Sequence, residues 1–204
     1  MEYIFIILIL ALIVYFVLRK SQLQKIPVDL LPDTFIIFDL ETTGLNADRD
    51  EIIEIAAIRY KKGTNKHDTI QALVKTSKAI PQEITDLTGI TQTMINNEGE
   101  PLKEVLAEFA AFIGNRRLVT FNDEFDMAFL QAAAKKCEME QFNNPVSCAL
   151  KMARRAWPKR KSFKLDNLAS DGQFKKDAAH RALEDARRTL IVYAAAVSEL
   201  KALE

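Results

Sequence analysis

The chain has 204 residues, with 28 Lys+Arg balanced by 28 Asp+Glu and a pI near 6.8. That length suits one domain of catalytic size plus a short appendage, and zero net charge excludes both a globally basic nucleic-acid binder and an acidic disordered tail. Two cysteines, Cys137 and Cys148, without C-x-x-C spacing exclude a metal knuckle or a disulfide framework and point to a reducing compartment.

Every residue from Tyr3 to Leu18 is apolar. As a helix this segment is about 24 Å long, which Arg19 and Lys20 extend by snorkelling and Tyr3 and Tyr15 by interfacial placement. Glu2 precedes the run while Arg19, Lys20 and Lys25 follow it. The positive-inside bias therefore predicts a single-pass anchor in the inner (cytoplasmic) membrane over residues 1–20, with the bulk of the chain in the cytoplasm. A cleaved signal peptide is the rival, but no basic n-region precedes the run and no small-residue cleavage site follows it. A mixed polar linker with Pro27 and Pro32 occupies 21–33, and a domain over 34–204 follows.

Three β-rich runs open that domain: Thr34 to Leu40, Glu51 to Tyr60 and His67 to Thr76, the last two separated by Lys61-Lys62-Gly63-Thr64-Asn65 and paired as a hairpin. His67 reads as exposed beside that basic turn. Pro101 opens a helix from Leu102 to Ile113 that stops at Gly114. Leu118 to Phe121 reads as a short buried strand, Phe125 to Cys137 as a helix, Pro145 to Leu150 as a strand and Ala178 to Leu203 as a long closing helix. Strands followed by alternating helices and strands predict an α/β layered domain.

Asp39 and Glu41 end the first strand two residues apart, so their side chains share a face, and Thr42-Thr43-Gly44 then turns the chain at a strand's carboxyl end, where α/β ligand sites gather. Asp126 lies beside the buried face marked by Phe125, Phe129 and Leu130. His180 precedes Asp185 by five residues, about 140° out of register on a helix, so the two converge only if His180 sits in the lead-in. Between Lys151 and Arg181 ten basic residues face three acids, with Trp157 and Phe163 interleaved. That pattern fits a strand-tracking surface and, equally, a solvated face over two core aromatics.

Taken in order, FDLETTGL (Phe38 to Leu45), N-x-x-FD-x-x-FL (Asn122 to Leu130) and HRALEDA (His180 to Ala186) resemble the three motifs of the DEDDh 3′-to-5′ exonucleases, the family that includes the proofreading epsilon subunits of bacterial replicative polymerase. The segment Ile80 to Thr91 is similar as well. The resemblance implies a ribonuclease-H-like fold with a mixed five-stranded sheet flanked by helices. It also implies two Mg²⁺ or Mn²⁺ ions held by Asp39, Glu41, Asp126 and Asp185, with His180 as the general base. Thr42, Thr43, Gly44, Leu45 and Asn122 are then expected to bind the 3′ end of single-stranded DNA or RNA. Phe121 stands where many relatives have a histidine, and Ser147-Cys148 where an Asp-Thr pair is common; neither touches the acids. Hard oxygen ligands favour Mg²⁺ or Mn²⁺, and a pair of such ions suits phosphodiester hydrolysis. The expected activity is a membrane-anchored exonuclease releasing nucleoside 5′-monophosphates. Two alternatives are a nuclease-like scaffold at the membrane, which the intact acids oppose, and a dedicated proofreading subunit, which the ending of the chain after its closing helix opposes.

Overall fold

The computed structural model describes residues 30–171 and 181–203. The apolar segment 3–18 and His180 lie outside the described residues, as do Lys175 and Lys176. Among the described residues no helix is long and apolar enough to cross a membrane.

Five strands form one mixed sheet in the order β3-β2-β1-β4-β5. β1 (Thr34–Thr42), β2 (Ile52–Lys61) and β3 (Asp68–Leu73) are an antiparallel meander; β4 (Leu118–Thr120) and β5 (Val146–Cys148) add parallel to β1. The helices are α1 (Gln82–Thr88), α2 (Gln92–Glu98), α3 (Leu102–Ile113), α4 (Asp123–Lys136), α5 (Ala149–Ala156), α6 (Leu165–Asp171) and α7 (Ala182–Ala202). α3 stops at Gly114, whose φ of 51° a side chain would disfavour.

The period of two divides β1 between two cores. Ile36, Phe38 and Leu40 pack with Leu106 and Phe109 of α3 and with Phe129 and Leu130 of α4. Phe35 and Ile37 pack on the opposite face with Ala149 and Ala153 of α5 and with Ala186, Val192 and Tyr193 of α7. Asp39 and Glu41 continue the odd-numbered series, which carries them toward the face that α7 covers. Leu31 is buried in that second core, so packing begins just ahead of β1.

Several boundaries differ from expectation. The expected strand over Pro145 to Leu150 is only three residues long, because from Ala149 the chain turns into α5, an alanine-rich helix with its small residues inward. The closing helix runs from Ala182, with Arg181 extended ahead of it, and the expected start over 178–180 lies outside the described residues. α1 and α2 had no periodicity long enough to announce them. His67 is half-buried: its ring lies 5.1 Å from that of Tyr60, and Nδ1 accepts the Lys61 amide at 3.4 Å.

Candidate active site

At the carboxyl end of β1, oxygens of Asp39, Glu41 and Asp185 lie within 4.8 Å of one another. Asp185 arrives on the first turn of α7, with its amide bonded to the Arg181 carbonyl at 3.0 Å. Asp126 comes from the first turn of α4, is buried, and accepts a hydrogen bond from the Thr120 hydroxyl at the end of β4. It stands outside the triad of close oxygens yet near enough to act on Asp39 electrostatically. Three of the four expected acids thus meet directly, and the fourth adjoins them.

The group resists carrying its full charge. Burial, then Asp126, Glu41, Asp185 and Glu54, hold the Asp39 carboxyl well above the usual range. Glu41 is pushed to about 8 by burial, Asp185 and Glu54, against the opposing pull of Arg181. Burial lifts Asp126 to about 7 even though the Thr120 hydroxyl and the Asn122 backbone favour its charged form. Clustered carboxylates that repel one another, with only hard oxygen donors, are the chemistry of a divalent-cation site. The donor set therefore fits the metal that the motifs imply.

The turn after β1 is tied down by its own polar groups. Thr42 donates from Oγ1 to the Gly44 carbonyl at 2.6 Å, and Thr43 Oγ1 accepts the Glu51 amide at 2.9 Å. A Cβ at Gly44 would come within 2.5 Å of the Asp50 carboxylate, which is already engaged by the Asn46 amide, so a side chain there would displace that carboxylate. Leu45 projects from this turn and is 85% exposed; it does not pack beneath it. Asn122 is exposed at the N-cap of α4, with its carbonyl accepting the Phe125 and Asp126 amides.

Sequence reasoning missed Glu54, Thr120, Arg181 and Arg188. Glu54 is wholly buried in β2, opposite Glu41, and Arg188 is buried with Nη1 2.5 Å from Asp185 and 3.6 Å from Asp166. An acid inside the apolar run IIEIAAI was a legible signal, because unpaired charges are almost never fully buried. Arg188 carried no such mark, since arginines abound on exposed helix faces. Trp157 and Phe163 pack against the second core, whereas Lys151, Arg154, Arg155, Lys159, Lys161 and Lys164 are exposed around them. A cleft of about 910 Å³ lined by Ala47, Glu51, Lys75, Leu102, Phe129 and Lys136 includes none of the four acids.

The RNase_T exonuclease family profile matches residues 36–193, a span that contains all four acids. The chain belongs to this exonuclease family. The exonuclease is 37% identical over 175 residues to DNA polymerase III subunit epsilon of Aquifex aeolicus, covering 84% of each chain. It is 38% identical over 161 residues to a PolC-type DNA polymerase III of Oceanobacillus iheyensis, covering 79% of this chain but 11% of that protein. Among solved structures, exonuclease I superposes with a TM-score of 0.73 at 20% identity, over 82% of this chain and 41% of that one. Exonuclease I of E. coli bound to a dA16 oligonucleotide gives 0.70 at 18%, over 84% and 42%. These likenesses establish the ribonuclease-H-like exonuclease fold, and the family and its relatives establish the activity: a metal-dependent 3′-to-5′ exonuclease, a phosphodiester hydrolase.

Proposed function

We propose that this exonuclease trims single-stranded DNA or RNA from the 3′ end, releasing nucleoside 5′-monophosphates, while residues 3–18 anchor it in the cytoplasmic membrane with the domain on the cytoplasmic side. The observation that carries the first half is the convergence of Asp39, Glu41 and Asp185 within 4.8 Å beside a buried Asp126. These four residues would hold two Mg²⁺ or Mn²⁺ ions, which supply polarisation of the scissile phosphate and charge neutralisation at the leaving oxygen. His180, an imidazole whose ordinary pKa lies near 6.5, takes the proton of the attacking water. The Thr42–Leu45 turn and Asn122 border the acids and hold the terminal nucleotide, with exposed Leu45 offering an apolar surface to a base. The exposed lysines and arginines of α5 and the following turn favour the phosphate backbone as ligand.

End-labelled DNA and RNA oligomers incubated with the purified protein test this reading: mononucleotides appear with Mg²⁺ or Mn²⁺ and vanish with chelator. Failure to release them from any single strand in Mn²⁺ would sink it. Leu45→Ala should raise KM severalfold without altering melting. For the anchor, the full chain should resist carbonate extraction from membranes, with its domain open to protease only from the cytoplasmic face. A second reading, proofreading within a polymerase assembly, draws support from the epsilon and PolC relatives. It predicts co-elution with a replicative polymerase and preferential removal of mispaired primer ends.

A further inference from the structure

Glu54 is the third residue of β2, 0% exposed and in register with Glu41 on β1. A fifth carboxylate at this point needs an exceptional reason, and its contacts supply one. Arg181 reaches it through Nε at 3.1 Å to both oxygens and through Nη2 at 2.5 Å. The Ala182 amide donates to Oε2 at 3.0 Å, and Gln71 Nε2 donates to Oε1 at 2.8 Å. Every one of these donors except Gln71 belongs to the start of α7.

That start lacks a cap of its own. Arg181 is the N-cap residue, in extended conformation, and offers no side-chain oxygen to the free amides of the first turn. Glu54 provides the missing acceptor from the neighbouring strand and places negative charge at the positive end of the helix dipole. The same Arg181 accepts the Asp185 amide through its carbonyl at 3.0 Å. A continuous path therefore runs from Glu54 through Arg181 to the backbone of Asp185, while the Arg181 guanidinium offsets the extra charge beside Glu41.

We propose that Glu54 and Arg181 are a positioning pair: a cap and ion pair supplied across elements that fixes the first turn of α7, so that Asp185 is presented to Asp39 and Glu41 and divalent-metal affinity depends on it. This rests on the metal-site reading above.

The test uses the full-length protein and Mn²⁺ alone, titrated by electron paramagnetic resonance, with hydrogen exchange read at Ala182 to Asp185. Glu54→Gln and Arg181→Met should each weaken Mn²⁺ binding about 10- to 100-fold, the range typical of lost outer-sphere partners. Exchange at the start of α7 should accelerate while that at the start of α4 stays at the wild-type rate. Arg181→Lys should fall between, because an ammonium cannot span both oxygens. Folded variants whose Mn²⁺ affinity stays within about twofold of wild type, or whose exchange rises equally in α4 and α7, overturn the proposal. Should Glu54→Gln fail to fold, Arg181→Lys keeps the buried charge paired and decides alone: unchanged affinity and exchange overturn it. A wild-type protein that binds no Mn²⁺ would instead sink the metal-site reading, and the exchange measurement would still judge the pair.

Discussion

Two helices deliver acids to this site from the same position, and they support them in opposite ways. Asp126 is the fourth residue of α4 and Asp185 the fourth residue of α7. The first turn of α4 is crowded with Asp123, Glu124 and Asp126, and Lys151 bridges Asp123 and Glu124 at 2.8 and 3.0 Å. Asp126 itself is held by a neutral hydroxyl, that of Thr120. On α7, Asp185 meets the guanidinium of Arg188 from one turn below, and Glu54 with Arg181 secures the turn above. One acid is thus free to take up a proton when no cation is near, while the other faces a fixed positive charge. The contrast relieves the cluster of part of its repulsion without placing a cation at its centre.

Deleting each acid in turn separates the two helices most clearly. Asp126→Ala and Asp185→Ala should both lower mononucleotide release by about 10²-fold or more, yet they should part company in a melting experiment. Losing Asp126 removes a carboxyl that resists ionisation and leaves the metal-free protein as stable as before or more so. Losing Asp185 leaves Arg188, 4% exposed, with the more distant Asp166 at 3.6 Å, and should cost on the order of 3 kcal/mol.

A smaller effect is expected from pH. Carboxyls raised to about 8 at Glu41 and about 7 at Asp126 keep their protons in the folded chain at pH values where the unfolded chain has lost them. Their contribution is therefore fully present below about pH 4, their ordinary range, and is lost as pH rises through 7 to 8. The metal-free protein should melt on the order of 10 °C lower at pH 8 than at pH 5, and saturating Mn²⁺ should erase most of the difference. A melting temperature that rises over this interval without metal would contradict the assignment.

Thr120→Val tests the hydroxyl alone. The Asp126 carboxyl loses a bond that favours its charged form, so carboxyl NMR should find it titrating higher than about 7 in the metal-free protein. Activity at neutral pH should drop about tenfold with Asp185 unaffected. Smallest of all should be Lys136→Ala, at the far end of α4. Lys136 is 60% exposed and pairs with Glu51 at 2.7 Å, so its loss should cost under about 1 kcal/mol and leave catalysis untouched. Burial opposes the Glu51 charge, but bonds from Lys136 and Ser77 prevail and hold it at about 2. Any stabilisation from that pair is thus present above the ordinary glutamate range and fades as pH falls toward 2.

What the sequence disclosed follows from which forces are local. β1, β2 and α3 were readable because their apolar periods are uninterrupted and Pro101 and Gly114 punctuate the helix. Asp39 and Glu41 could be placed on one face by the strand period alone, and the motif resemblance joined Asp126 and Asp185 to them. The role of Glu54 was not readable, because its partner Arg181 is 127 residues away and nothing local announces a tertiary cap. Leu45 was expected to meet the terminal nucleotide, and the structure leaves its side chain exposed and clear of the core. α5 was hidden by Val146-Ser147-Cys148, a strand of three residues that merges into a helix without a breaker between them.

The borders of the sheet carry a consequence for handling the protein. β5 is three residues long, and β3, on the other border, is six residues long with Asp68, Thr69 and Gln71 exposed. Neither offers the long, flat, apolar edge that invites pairing with another copy. Detergent-solubilised samples should therefore gain no fluorescence from amyloid dyes through this sheet, even though its centre is rich in isoleucine and phenylalanine.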